Sequence, residues 1–515
     1  MKYQKNYFLW IGIISISFIL VLYLLFLNPS SNDEHDGVKY RSQNVRIVMG
    51  ADIKGWNPTM VEHTSTAYGA QIFNCLHDTL IYKEIDGKKV SHLLKTMPVK
   101  NGKELTCELR DDIFFHNGNP LKTDDVIFTI NLGKTNNHPQ FQDMENVERI
   151  DDKKFKITLR DDTVWYDFAL FRFIRILNKA AVVQDQNKGL KIGAGPYKFI
   201  NYEPNSKIEL ELFDKYYDKE AIKTSPLKIT FEIIRDSNTS LMKLEQKEVD
   251  CISYDYDKIN DLQTRIDKNQ ISGIKIISFP QASASYIYLN KRKTDEQTRL
   301  AIAHALDFSS IIKELNIPGE PLNSYLPSSL KGANNELKNR FNIEEARRIV
   351  STLSTNQKKI IFGAGNSGSD AIQRKVTEQL KSVGFDATFE RIDFNTLISS
   401  VDNYNGIFLG ENHEMEYGHK ALDDYFRTNV EENFSRVDIN DKHNTDDKLD
   451  QAKQQTDINE YIRLIKEVVK YLYDKSYVLS ISQNNKYLVV NDKVQRGFES
   501  DFFGNMKLTN IFIKK

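Results

Sequence analysis

At 515 residues the chain is too long for one small core, and its length suggests about two to four domains. Its hydrophobic share of 40% and charged share of 27% are ordinary for a globular protein, and a net charge of −1 argues against a nucleic-acid partner or a strongly basic surface. Cys75, Cys107 and Cys251 lie far apart without CxxC spacing, which excludes a zinc knuckle or a disulfide framework. Three buried thiols are expected, with one extracytoplasmic bridge as the alternative. Near the N-terminus, Lys2 and Lys5 precede a charge-free run over 7–27, about as long as a bilayer core requires. It exceeds a signal-peptide core, no A-x-A-like site follows, and no cysteine near its end could take a lipid. The reading is a cytoplasmic stub at 1–6, an uncleaved transmembrane anchor at 7–27, and a polar tether at 28–44, with the rest outside the cytoplasmic membrane. Cleavage of the anchor is the alternative.

After the tether, 45–49 is a compact apolar strand. Ala67, Ala70, Ile72, Phe73 and Leu76 then recur at helical spacing. The stretch 105–132 reads as a half-buried strand, an apolar plug (Ile113, Phe114, Phe115), a turn over His116 to Pro120, and a helix. Thr123 is its expected N-cap, and Val126, Ile127 and Ile130 its apolar face. A strand is expected over 150–159 and aromatics on a helix or loop over 165–173. The glycines and proline of 193–197 make a chain reversal into a strand at 197–202. Further strands follow at 208–213 and 227–234, and a short helix at 240–250. The next strand is at 285–290, and then comes a helix at 298–307 with Ala301, Ala305 and Leu306 inward and Arg299 outward. The last third alternates helix 344–353, strand 359–362, helix 370–383 and strand 387–392. Helices at 447–454 and 457–473 follow, then a strand at 477–482 and an irregular end. No repeat of 20 to 50 residues is present, so a solenoid is excluded.

Within 105–132, Leu109-Arg110, Phe115-His116-Asn117-Gly118, Pro120-Leu121 and Thr123-Asp124-Asp125-Val126 closely resemble a family signature. It is the central signature of the extracytoplasmic solute-binding proteins of peptide and nickel ABC importers (solute-binding protein family 5). Leu76-His77-Asp78-Thr79-Leu80, Gly193-Ala194-Gly195-Pro196-Tyr197, 285–290 and 298–307 resemble further family segments. The chain departs from the pattern over 91–97, and Lys247 stands where the family has glycine. The resemblance implies an α/β, bilobal periplasmic-binding-protein clamshell, class II-like, with an extra insertion domain. It places lobe I at 45–74, 194–283 and 486–515, the insertion at 75–193, and lobe II at 284–485. Crossover strands are expected near 279–286 and 487–494. It further implies a monomer without cofactor that binds a peptide or other small ligand and delivers it to an ABC permease.

Gly363 to Gly368 is a literal GxGxxG between a strand and a helix, with Glu390 further on at about the dinucleotide spacing. Deep in the chain and without a second mononucleotide half, it reads better as a turn offering backbone N–H groups to ligand, with Asn366 in it. The segment 410–419, GENHEMEYGH, is the densest polar cluster. By the family register Glu414 takes the place of an aspartate that pairs with a peptide's α-amine, and Glu411 replaces a tryptophan. A carboxylate in a closed cleft suits an ammonium, because the bond is charge-assisted and desolvated. His413 and Tyr417 complete the expected ligand-facing set. His413 and His419 with nearby carboxylates could instead hold a transition metal or a metal chelate, and a solvated acidic loop is the plain alternative. The family's carboxylate-clamping arginine is not matched at Asp370-Ala371, and Arg374 is expected on the surface. His116 reads as structural. No GxSxG, HExxH or Walker sequence occurs, so a catalytic role is not expected, and an extracytoplasmic sensor or enzyme that kept the fold and lost transport is the remaining alternative.

Overall fold

A computed structural model describes residues 43–513 apart from 65–66, 85–87, 167–173, 255–257, 366–369, 414–415, 501–505 and 510. The expected stub, anchor and nearly all of the tether therefore lie outside the described residues. No helix among those described is long and apolar enough to cross a membrane.

Two long strands run through the middle of the molecule, Ile274–Leu289 and Val478–Asn491, of 16 and 14 residues. They pair antiparallel along nearly their whole length. Ile274 to Pro280 faces Asn491 to Asn485, and Ser283 to Tyr288 faces Asn484 to Val478, with a register shift between Pro280 and Ser283. A proline cannot donate to a ladder, so an irregularity there is expected physically. Outward from one side, Gly406–Asn412 pairs antiparallel with Ile274–Leu289, followed in parallel by Lys359–Gly365 and Asp386–Ile392. Outward from the other side come Cys251–Ser253, then Asn44–Met49, Lys228–Ile233, Lys207–Leu212 and Tyr197–Glu203. With Glu320–Pro321 against Val478–Asn491, these make one sheet of eleven strands.

A separate antiparallel sheet, Val99–Asn101, Glu104–Glu108, Lys154–Leu159 and Met144–Arg149 in spatial order, has its own core of Leu105, Leu109, Phe115, Val126, Ile130, Phe155 and Ile157. Its helix Thr123–Thr135 begins one residue earlier than expected, with Thr123 buried as the first helical residue and Lys122 before it. The cap is Asp125, whose carboxylate accepts the Lys122 N–H at 3.0 Å and the Lys179 N–H at 2.8 Å. One side chain thereby closes this helix and ties it to the later helix Lys179–Gln184.

The turn at 193–197 folds against the end of the helix Ala67–Leu76. A Cβ on Gly193 would meet the Leu76 carbonyl oxygen at 1.9 Å, and one on Gly195 the Cys75 carbonyl oxygen at 2.5 Å, so only glycine fits either place. His116 bridges the two motifs: its Nε2 donates to the Gly195 carbonyl at 3.0 Å, and its Nδ1 accepts the Gly193 N–H at 3.3 Å. Burial holds this imidazole down to about 4, and its role is structural. All three cysteines are buried free thiols.

Arg299 does not point outward as expected. It is 3% exposed and donates to the carbonyls of Lys475 at 2.9 Å and Thr294 at 2.5 Å, lying 4.9 Å over the Tyr477 ring. The inward side of the helix Glu296–Ala305 is lined with alanines, which leaves room for a long side chain to reach past them.

Candidate functional site

The segment 410–419 starts on a strand beside the crossover pair and ends on a helix. Gly406–Asn412 aligns with Leu289 to Ser283, so Glu411 lies opposite Ala284. Glu411 is 5% exposed. Its carboxylate accepts the Tyr325 hydroxyl at 2.8 Å on one oxygen and the Tyr288 hydroxyl on the other. Burial pushes this acid well above the ordinary carboxylate range, and the charges of Glu432 and Asp424 add to the effect.

His413 is fixed by its backbone N–H to the Ala282 carbonyl at 2.7 Å. Its Nε2 lies 2.9 Å from the Tyr286 hydroxyl and 3.7 Å from Glu411 Oε2. The Tyr286 hydroxyl donates its only proton to the Tyr325 carbonyl at 2.6 Å, so toward His413 it accepts, which sets the Nε2–H tautomer. Burial pulls His413 down to about 4. Three tyrosines, a carboxyl group and a neutral imidazole thus form one interlocked floor.

Further along, Glu416 pairs with Lys331 at 2.9 Å, and Tyr417 donates its hydroxyl to the Val164 carbonyl at 3.1 Å. His419 opens the helix His419–Phe426. Its Nδ1 lies 2.7 Å from the Tyr461 hydroxyl, and its ring centroid is 5.2 Å from that of Trp165. The Val164 N–H donates to the Gln455 carbonyl at 2.9 Å, and Trp165 Nε1–H to the Lys453 carbonyl at 3.1 Å. Residues 164–165, next to the small sheet, therefore dock directly on the helix-rich part of the molecule, away from the crossover strands.

Of the residues expected from sequence, Glu411, His413, Tyr417 and His419 lie along this one path, all with their polar groups engaged by protein. Glu414 and Asn366 lie outside the described residues. The two histidines belong to different clusters, and among the described residues no group of three or more His, Cys, Asp or Glu could hold a metal ion. Arg374 pairs with Asp370 on the surface, as expected. Sequence reasoning missed Tyr286, Tyr288, Tyr325 and Trp165. The alternation of Tyr286 and Tyr288 in 285–290 places both on one face of a strand and was the available signal. It also missed Arg175, fully buried, which donates to Asn74 Oδ1 from Nε at 3.2 Å and Nη2 at 2.7 Å.

Two α/β parts share a pair of long crossover strands, a small separate sheet stands beside them, and a polar segment runs from the crossover strands to the contact at Val164 and Trp165. This is a mixed α/β architecture built around one long sheet. The family described as bacterial extracellular solute-binding proteins, family 5, matches residues 91–417, and the chain belongs to it. Among curated relatives, an oligopeptide-binding protein AppA of Bacillus subtilis is 23% identical over 58% of this chain and 60% of its own length. The nickel-binding protein NikA of Staphylococcus aureus is 22% identical over 81% of this chain and 83% of its own. The first of these alignments thus spans about three fifths of the relative. In fold, the chain is similar to the substrate-binding protein CtaP of Listeria monocytogenes, with a TM-score of 0.81, 22% identity, and coverage of 92% of this chain and 100% of that one. It is also similar to DppA of Helicobacter pylori, solved in complex with the peptide STSA, with a TM-score of 0.72, 17% identity, and coverage of 93% and 99%.

Proposed function

We propose that this protein is the substrate-binding component of an ABC importer, capturing peptides outside the cytoplasmic membrane and delivering them to a permease. The observation that carries the reading is the path of 410–419. It runs from the crossover strands to the docking contact of Val164 and Trp165 with Gln455, Lys453 and His419. A ligand held there is touched by both moving parts, so its binding energy is coupled to closure. The lobes proposed are 45–74, 194–283 and 486–515 for the first, with the insertion at 75–193, and 284–485 for the second. The stretch 7–27 would tether them to the membrane.

Extended peptides suit such a cleft, since backbone hydrogen bonds hold them whatever their side chains. Glu411 and His413 are committed to Tyr288, Tyr325 and Tyr286, and the register of the resembling family gives Glu414 the place of the carboxylate for the ligand's α-amine. The same commitment disfavours a metal-chelate ligand, because His413 and His419 each already engage a tyrosine hydroxyl. Replacing Glu414 with Gln is expected to weaken free-amine peptides at least about tenfold, the scale of one charge-assisted bond, and to spare N-acetylated ones. Titration calorimetry with both forms is the measurement, and equal losses would remove Glu414 from this role.

A further inference from the structure

A cavity of ≈ 310 Å³ opens between the helix Ala67–Leu76, the strands Ile81–Lys83 and Lys89–Ser91, the turn at Tyr216 and Tyr217, and the C-terminal Met506 to Thr509. Every residue lining it precedes 222 or follows 505, so it is separate from the 410–419 path. On its buried side Asp78 is 6% exposed, and its Oδ2 has no hydrogen-bond partner among the described residues. Its Oδ1 lies 3.4 Å from His92 Nδ1, which likewise closes no hydrogen bond. Burial pushes Asp78 up to about 8. The hydroxyls of Tyr216 and Tyr217 lie close enough to oppose this shift without cancelling it.

Aromatic rings surround this acid. The Tyr216 and Tyr217 centroids are 4.6 Å apart, Tyr217 and His92 5.6 Å, and His92 and Tyr82 5.5 Å. Two cations stand further out. Arg110 lies 4.7 Å over Tyr217 and Lys507 5.6 Å over Tyr82, each with about a third of its side chain exposed (34% and 36%). Arg110 is held by Asp112 at 2.8 Å, whereas Lys507 reaches Glu84 only at 3.8 Å. The cavity therefore holds a buried acid among ring faces inside, with Arg110 and Lys507 beside its outer rings and the carboxylates of Glu84 and Asp218 also in its lining.

Each simple ligand class meets an obstacle here. An anion could meet Asp78 only with that acid keeping its proton, and an apolar group would leave it unpaired at a cost of about 1–3 kcal/mol. A plain amine would satisfy Asp78 but bring no acceptor to Lys507, whose distance to Glu84 is 3.8 Å. A zwitterion meets neither obstacle. Its ammonium takes Asp78 Oδ2 and the ring faces, where cation–π attraction adds to the charge pair, and its carboxylate faces Lys507 and Arg110. We propose that this cavity binds a free α-amino acid, ammonium inward on Asp78 and carboxylate outward toward Lys507, at a site independent of the main cleft.

Calorimetry on the full chain with three probes tests this: L-leucine, N-acetyl-L-leucine and L-leucinamide. L-Leucine is expected to bind saturably, and the two blocked forms at least tenfold more weakly. Asp78→Asn should abolish L-leucine binding while leaving peptide binding as it was. Lys507→Glu, at the exposed mouth, should weaken L-leucine and strengthen L-leucinamide, and it carries the test should Asp78→Asn fail to fold. No saturable heat with L-leucine would overturn the proposal, as would equal binding of N-acetyl-L-leucine or an affinity unchanged in both variants. Loss of peptide binding in Glu414→Gln bears only on the main cleft, so the two readings fail separately.

Discussion

At the residue scale, Glu411 carries the most constrained chemistry in the molecule. The Tyr288 and Tyr325 hydroxyls both end on it. Replacement by Ala strands two buried donors, and each unsatisfied group costs about 1–3 kcal/mol. Glu411→Ala is therefore expected to lower stability by roughly 2–5 kcal/mol, while Glu411→Gln, which keeps acceptor capacity on one oxygen, loses distinctly less. Denaturant melts of the two variants against wild type measure the difference, and equal midpoints for Ala and wild type would show that the cluster adds nothing. The same residue marks a limit of sequence reading. A polar stretch such as 410–419 announces that chemistry is present, but its partners Tyr288 and Tyr325 come from positions more than 80 residues away, and nothing local to 410–419 points to them. Asp125 repeats the lesson on a smaller scale. Its type and position fit a helix start, yet that it, and not Thr123, supplies the cap depends on the Lys179 N–H it also accepts.

At the element scale, the strand–turn–helix of 105–132 and the reversal at 193–197 were legible because turn glycines, proline and alternation are local signals. The crossover strand Val478–Asn491 was not. The sequence suggests two short strands, 477–482 and a crossover near 487–494, interrupted by the polar Gln483-Asn484-Asn485. These side chains find partners inside the sheet region: Asn484 Oδ1 accepts the Ser482 hydroxyl at 2.8 Å, its Nδ2 donates to Ser285 Oγ at 3.1 Å, and Gln483 Oε1 accepts the Ser328 N–H at 3.0 Å. Polar residues that pair with one another continue a strand that apolar periodicity cannot follow. The contact of Val164 and Trp165 with Gln455, Lys453 and His419, on the proposed reading a latch for the closed form, gives a prediction of its own. Trp165→Ala removes the Lys453 bond and the His419 ring contact, and it should speed ligand release by about tenfold, equivalent to ~1.4 kcal/mol, with little change in association. Stopped-flow displacement of a labelled peptide reads both rates. An unchanged off-rate would mean that this contact does not hold the closed form.

At the scale of the whole molecule, buried titratable groups set the response to acid. Burial lowers His77 to about 3, and His92, His116, His138, His413 and His419 to about 4. A histidine whose folded value is depressed contributes stability above the unfolded value near 6.5, and this is lost as pH falls toward the folded value, because the unfolded chain then binds more protons. Each contributes on the order of 1 kcal/mol between pH 7 and pH 5. Asp78 acts in the opposite sense: raised to about 8, it favours the folded state as pH falls through that value toward the ordinary carboxylate range. Glu411, likewise raised by burial, opposes the histidines in the same sense as Asp78, and with six histidines against these acids the melting temperature should drop by a few degrees from pH 7 to pH 5. A flat profile over that window would show these imidazoles to be solvated. The eleven-stranded sheet has one more consequence. Because Ile274–Leu289 and Val478–Asn491 stay hydrogen-bonded to each other from one half into the other, neither half can melt without tearing the ladder that the other also uses. The strands on which the molecule would hinge are also what joins its two halves into one cooperative folding unit.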